Sequence, residues 1–497
     1  MKSTRSAVSL ILAFFLLFSV SACGGGENGG PADPNPADAQ NAPSAGEAPE
    51  TDVPETELHY SADYLPDVTY GGYEFKIVAY DEYPADQQEE NGNLINDAIF
   101  QRNRLVEEQY DIRIAETRYP YAQYSEVFGL LRSAAMAQTD DYDLYTVVFP
   151  NAYSGIIERV IPVASSLPVI DMSQPWYYKQ INDGMAVNGV VLTAYTAFDK
   201  SPGGQLIIFN KNMTTALQLE SPYDLVDQGQ WTYEKFYSIG EAARSDLNGD
   251  GQMNEEDRFA MCLMIDDITD FAYYGSGDKL VDFSGEVPEV SQKESLFDMF
   301  NGMNEFLNSG NILKLPLDAS SSDKALGLFK SGHSLFHKAK TSMLVQLGDM
   351  EDDYGIVTYP KWTEAQENYY NGIDGSLIAL PAVTASDMER TCVIKEALSV
   401  ESMNIYYPAY YEISLKNRYV RDEDSIRMLE IITKANTYDV GAALDYNAIR
   451  GPWMNCLQNG SGDFASAVAK NLKMANKAIE KLIENTDAIR AELNGGS

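Results

Sequence analysis

The chain has few basic residues, cysteines or histidines, and each shortage excludes something. Lys and Arg number 36 against 74 Asp and Glu in 497 residues, giving a formal net charge of −38 and a pI near 4.3. A polyanion meets a repulsive average field here, so nucleic acid is excluded as a partner, and the same field opposes adsorption to anionic lipid. The four cysteines, at 23, 262, 392 and 456, form no CxxC pair and no Cys/His metal spacing. Zinc ribbons and thioredoxin chemistry therefore drop out. With Cys23 used elsewhere, Cys262, Cys392 and Cys456 allow one bond at most. Of the three histidines, His333 and His337 are four apart, but SLFHKAK around His337 reads as a strand, where that spacing separates them. GxSxG, a Walker loop and a GxGxxG strand-to-helix fingerprint are absent, and so are tandem repeats. With 74 acidic residues, a carboxylate pair carries no weight as a glycosidase dyad.

What is present is a 44% hydrophobic chain, enough for one large or two ordinary domains, with 32 tyrosines. Tyrosine combines a flat apolar face with a hydroxyl, which suits polar ligands with flat faces, although core packing accounts for most of the set. Lys2 and Arg5 precede an uncharged apolar stretch from Ala7 to Val20. That stretch is too short to span a bilayer and has the form of a signal-peptide core. No later run is of spanning length. Residues 24–57 are rich in Gly, Pro, Ala, Asp and Glu and almost free of large apolar side chains, so they read as a flexible tether. The body then alternates strand and helix: Tyr73–Tyr80, Asn93–Gln109, Asp111–Ala115, Ser125–Ala137 and Tyr142–Phe149. This order implies a largely parallel sheet with right-handed crossovers. Ligands bind beyond the carboxyl ends of such strands, which puts Phe149, Asn151 and Tyr153 in a candidate binding loop. A strand pair is expected at Gly189–Phe198 and Gln205–Asn210, and the C-terminal third is expected to be mostly helical.

The segment Asp246–Asp257 (DLNGDGQMNEED) matches the spacing of a calcium loop. Asp246, Asn248 and Asp250 would offer side-chain oxygens, Gln252 its carbonyl, and Asp257 the closing carboxylate. Gly251 permits the turn. Asp at the twelfth position, shorter than the usual Glu, predicts a weaker site. The alternative is a polar surface turn, and any calcium here would be structural.

Two sets of residues carry a family resemblance. Val20-Ser21-Ala22-Cys23 resembles the bacterial lipobox, whose cysteine carries a diacylglycerol; an ordinary secretory signal is the alternative. The order of tether, YDLYTVVFPNAYSG, GVVLTAYTAFDKSPGGQLIIFNKNM, WTYEKF, FKSGHSLF, DDYGIVTYPK and RGPWMNCLQ resembles the extracellular solute-binding proteins of bacterial ABC importers, in their sugar-binding branch. The resemblance covers roughly residues 68–490. It implies an α/β, two-lobed periplasmic-binding-protein type II fold with crossing hinge strands near Ser201–Gln205 and Asn371–Ser376. The implied division is a signal peptide at 1–22, a tether at 23–60, lobe 1 at 61–203 and 375–425, and lobe 2 at 204–374 and 426–497. It further implies a monomeric, non-enzymatic lipoprotein outside the cell membrane, held there only by lipid, which captures a carbohydrate and delivers it to a permease. Loops of the DxNGDG type also recur in that family. Tyr195, Asp199, Asp270, Tyr274 and Asp374 resemble cleft positions. Trp453 is either a stacking aromatic or a buried hinge tryptophan; Trp231 reads as core, and Trp176 as core or rim. A secreted, calcium-stabilised glycan-active enzyme and a peptide receptor are the rival readings.

Overall fold

The computed structural model describes residues 59–497 apart from 188, 200–202, 283–287, 374–376, 412–419, 440, 442–450 and 496–497. Cys23 and Asp374 lie outside the described residues, as does the side chain of Asp270.

The first lobe begins with β1 (Tyr73–Tyr80), α1 (Leu94–Tyr110), β2 (Ile112–Tyr119), α2 (Tyr124–Ala137), β3 (Leu144–Val148) and α3 (Phe149–Ile157). Local chemistry sets the ends of α1. The Asn93 side chain accepts from the N–H groups of Ile95 and Asn96 at 3.0 and 3.2 Å. Asp111 ends the helix in the left-handed region, its N–H bonded to the Glu107 carbonyl. Both β2 and β3 run parallel to β1.

The second lobe contains β4 (Gln205–Asn210), β5 (Phe259–Met264), α4 (Ile265–Ser276), α5 (Glu294–Asn308), β6 (Ile312–Leu315), α6 (Ala319–Lys330), β7 (Ser334–Lys340) and β8 (Tyr354–Val357). Its sheet order is β6-β5-β7-β4-β8, parallel across β6, β5 and β7, with β4 antiparallel to both neighbours. The chain then passes through β9 (Asn371–Gly372) to β10 (Leu377–Leu380), which joins the first sheet antiparallel to β3, giving the order β10-β3-β1-β2. After α7 (Met388–Glu401) on the first lobe come α8 (Glu423–Ala435), β11 (Asn436–Thr437), α9 (Gly451–Asn459) and the long α10 (Phe464–Gly495).

The two lobes have separate cores. Val78, Val147, Phe149 and Ile378 belong to the first, while Trp231, Phe236, Phe306 and Phe336 belong to the second. Trp231 is fully buried and donates its indole N–H to the Thr358 carbonyl at 2.8 Å. Trp176 is 1% exposed and donates to Glu396 at 2.9 Å, which makes it core. Helix α10 serves both cores: Ala475 and Ile479 pack in the second, Leu482 and Ile489 in the first. Among the described residues no helix is long and apolar enough to cross a membrane.

The expected strand at Gly189–Phe198 is corrected. Among the described residues the only ladder there is Val190–Val191 with Ala186–Val187, and Thr196 makes a single isolated bridge to Tyr177. Residues 192–198 are buried without a ladder because side chains and loops take their backbone groups. Asn182 accepts from the Tyr195 N–H at 2.7 Å and donates to its carbonyl at 3.0 Å. Asp199 accepts from the Thr196 N–H, and the Ala197 N–H reaches the Trp176 carbonyl.

Candidate functional site

The hinge fixes where the lobes face one another. Gly204 bridges to Ile373, and β9 pairs with β11 in parallel, Asn371 opposite Asn436 and Gly372 opposite Thr437. Three segments therefore meet where two were expected. Close approach requires glycine here: a Cβ on Gly204 would lie 2.3 Å from Asn436 Oδ1, and one on Gly203 would lie 2.1 Å from Thr341 Oγ1. Side chains lock the crossing. Asn371 Oδ1 accepts from the Tyr359 N–H at 2.8 Å, and the Tyr359 hydroxyl donates to Gln205 Oε1 at 2.7 Å. Lys340, the last residue of β7, pairs with Gln205 beside the hinge, and Val148, the last of β3, pairs with Leu377 just beyond it. The carboxyl ends of the parallel strands in both sheets thus open onto the same cleft, where this topology places ligands.

On the first lobe that edge carries a shelf of tyrosines. Tyr121 makes edge contacts with Tyr80 and Tyr83, both at 5.6 Å between centroids, and lies 6.1 Å from Tyr124. Tyr80 is buried beneath, while Tyr83 and Tyr124 are 37% and 41% exposed. The Asn151 amide contacts the Tyr124 carbonyl at 3.5 Å, so this expected site residue lies beside the shelf. Next to Tyr83 is a cavity of about 50 Å³ bounded by Thr146, Phe198, Asp199, Leu377 and Tyr406. Arg102 forms part of its wall, its guanidinium 5.0 Å from the Phe198 ring centre and bonded to the Ala85 carbonyl at 2.7 Å. Burial pushes Arg102 down to about 10, against the pull of Tyr406, Asp86 and Glu116. Sequence reasoning missed Tyr83, Tyr121, Tyr124, Arg102 and Tyr406. The available signal was the tyrosine density just past two strand ends, YDEYP and YPYAQY.

Phe149, Tyr153 and Tyr195 do come together, but in the interior. All three are at most 2% exposed, and Phe149 lies 5.8 Å from Tyr195 and 4.6 Å from Tyr438. Tyr438, just after β11, packs on Phe149. Lys279 of the second lobe donates to the Tyr438 carbonyl at 3.0 Å, and burial lowers its pKa. Tyr274 is half-buried and lies against the hinge, where a Cβ on Gly372 would come within 2.9 Å of its ring. Asp199 has its oxygens committed inside the protein. It accepts from the Thr196 N–H and hydroxyl at 2.8 and 3.0 Å and from the Ala379 N–H at 2.7 Å, with Lys395 at 3.4 Å. Trp453 is 1% exposed, its ring 3.7 Å from that of Phe300, so in this conformation it is the buried alternative and offers no open stacking face.

The loop at 246–257 adopts the turn that its sequence implies. Gly249 and Gly251 sit at φ +75° and +78°. Asp246 accepts from their N–H groups at 2.7 and 2.8 Å, and Asp250 accepts from the Gln252 N–H at 2.7 Å. Asn248 accepts from the Asp250 N–H at 2.9 Å. The buried Asp257 accepts from Leu247 and Asn254, both at 2.9 Å. The turn is present; among the described residues no group of three or more Asp, Glu, His or Cys side chains is gathered to hold a metal ion.

No protein-family model matches the sequence, and no curated protein does. Solved structures do match. The cyclic α-maltosyl-1,6-maltose binding protein of Arthrobacter globiformis superposes with a TM-score of 0.57 at 11% identity, over 82% of this chain and 99% of that one. The galacto-N-biose/lacto-N-biose I-binding protein of an ABC transporter from Bifidobacterium longum gives 0.57 at 12% identity, over 84% and 98%. The sugar-binding protein MalE of Xanthomonas citri gives 0.57 at 11%, over 82% and 98%. The fold of this chain is the two-lobed α/β fold of the type II periplasmic binding proteins, as found in sugar-binding proteins of ABC transporters.

Proposed function

We propose that the protein is a non-enzymatic solute receptor that captures a carbohydrate between its lobes and hands it to an ABC-type permease. The observation that carries this reading is the Tyr83–Tyr121–Tyr124 shelf just past the carboxyl ends of two strands of the first sheet, with Tyr83 and Tyr124 exposed. A pyranose presents a C–H face to such rings and hydroxyls around its rim, and the Asn151 amide, beside Tyr124, would be the group to meet one. Ligand contacts made with both lobes exist only in the closed form, so binding shifts the population toward closure. The fold supports the reading, since its neighbours are sugar-binding proteins by their own descriptions. Thermal-shift screening against glycan and peptide libraries tests it. Stabilisation by oligosaccharides that is lost in Tyr83→Ala/Tyr124→Ala supports the proposal, and stabilisation by peptides alone overturns it.

Two finer points belong to the same reading. Acylation of Cys23 would hold the protein at the outer face of the cell membrane, and Cys23→Ser should release it into the soluble fraction. Calcium in the 246–257 loop would have to draw Asp246, Asp250 and Asp257 toward one ion; the spacing supports it, and chelation tests it.

A further inference from the structure

The solvent face of α10 carries a run of four lysines in this acidic chain. Lys470, Lys473, Lys477 and Lys481 are all exposed. At 100° per residue they fall within about 80° of one another and extend over roughly 16 Å. The buried positions Phe464, Val468, Ala475, Ile479 and Leu482 lie on the opposite side of the helix. Met474, 57% exposed, sits among the lysines, while Glu480 on the rim and Glu484 one turn further on end the basic stretch.

Several surface lysines elsewhere are paired with carboxylates, although Lys293, Lys314 and Lys434 stand singly without one among the described residues. Lys179 meets Asp183, Lys235 meets Glu220 and Lys211 meets Asp422, each at 2.7 Å. None of the four α10 lysines has a carboxylate oxygen within 4.0 Å among the described residues, although acidic residues outnumber basic ones 74 to 36. Four unneutralised ammonium groups in a row, around an exposed thioether, fit a surface of closely spaced negative charge.

We propose that this face of α10 docks on anionic lipid headgroups. The inference rests on the reading of Cys23 as a lipid anchor, which supplies the reason for a bilayer to be near. The tether expected from the composition of residues 24–57 would, as a random coil, reach roughly 30 Å. The overall negative charge does not forbid the contact, because at physiological salt charges more than about 8 Å from the headgroups are largely screened. Each lysine at such a surface is worth about a fivefold gain in partitioning, so even partial engagement of four exceeds tenfold.

The test uses the full mature chain with Cys23→Ser, so that no acyl chain contributes and failure of the anchor reading is separable. Flotation is measured with phosphatidylglycerol-containing and pure phosphatidylcholine vesicles at low and high salt. The expected result is binding to the anionic vesicles only, abolished by high salt. It should fall at least tenfold when Lys470, Lys473, Lys477 and Lys481 are all changed to Gln, and persist when Lys179, Lys235, Lys324 and Lys330 are changed instead. Equal loss with either set would reduce the effect to net charge and overturn the proposal. Absence of binding to anionic vesicles, or retention of immobilised acidic protein in its place, also overturns it. Membrane fractionation of the unmutated chain in cells tests Cys23 independently.

Discussion

Phe149 at the start of α3 and Tyr438 just after β11 meet ring to ring, 4.6 Å between centroids and inclined by 50°. Phe149 belongs to the first lobe, whereas the Tyr438 carbonyl is held by Lys279 of the second. A Cβ on Gly184 would lie 2.1 Å from that same carbonyl, so the first lobe closes on it from the other side. Tyr438 is therefore a wedge between the lobes.

Tyr438→Ala should cost about 3 kcal/mol, as for truncation of other buried aromatics, and should loosen the angle between the lobes. Scanning calorimetry reads the first effect, and small-angle scattering of the ligand-free protein reads the second as a larger radius of gyration. An unchanged radius would show that the wedge does not set the angle.

Tyr83→Ala and Tyr124→Ala should each weaken carbohydrate binding about five- to tenfold, from a stacking contribution of order 1 kcal/mol per ring. Neither should lower the melting temperature by more than a degree or two, because both rings are more than a third exposed. Titration calorimetry on the folded variants gives the answer.

Trp453→Ala should act on stability instead, costing about 3–5 kcal/mol through loss of the contact with Phe300. A variant with normal stability and lost sugar affinity would return Trp453 to the binding surface.

His337 predicts a pH dependence. It is 4% exposed, neither ring nitrogen has a partner among the described residues, and burial pushes its pKa from 6.5 down to about 4, with Lys338 helping and Asp267 opposing. The unfolded chain therefore binds a proton that the folded one refuses. This contribution is fully present above pH 6.5 and is lost as the pH falls toward 4, by up to about 3 kcal/mol. Urea denaturation at pH 7 and pH 4.5 should show less of that loss in His337→Phe, whose ring can stack on Phe329 as the imidazole does.

Asp257→Ala should destabilise the protein with or without calcium, because it leaves the Leu247 and Asn254 N–H groups without their acceptor. If the loop binds calcium, chelation should lower the melting temperature of the parent chain and leave that of Asp246→Ala unmoved. Equal temperatures with and without chelator would reduce the loop to a turn.

Much of the fold was legible because hydrophobic period and caps agree. Tyr73–Tyr80 is a strand at the expected limits, and Asn93 caps α1 within a residue of the expected start. The segment at 192–198 was misread because its composition is that of a strand, while its hydrogen-bond partners, Asn182, Asp199 and Trp176, are set by tertiary structure. The third hinge strand is two residues long and pairs with Asn371 and Gly372, far back in the chain, which no local pattern records. The site was less legible than the fold. Position near the crossing was enough to single out Asp199, but not to show that its oxygens hold Thr196 and Ala379. The exposed tyrosines were hidden among 32, and only the meeting of two strand ends separates Tyr83 and Tyr124 from the rest.

Helix α10 also constrains when the protein can fold. Leu482 and Ile489 pack with the first core and Phe464, Val468 and Ile479 with the second, yet every strand of both sheets precedes them in the chain. During synthesis neither lobe can complete its interior until that helix has left the ribosome, so the nascent chain stays incompletely packed through most of its translation. Were the apolar stretch at 7–20 to act as the export signal its sequence suggests, this delay would keep the chain unfolded enough to pass a secretion pore.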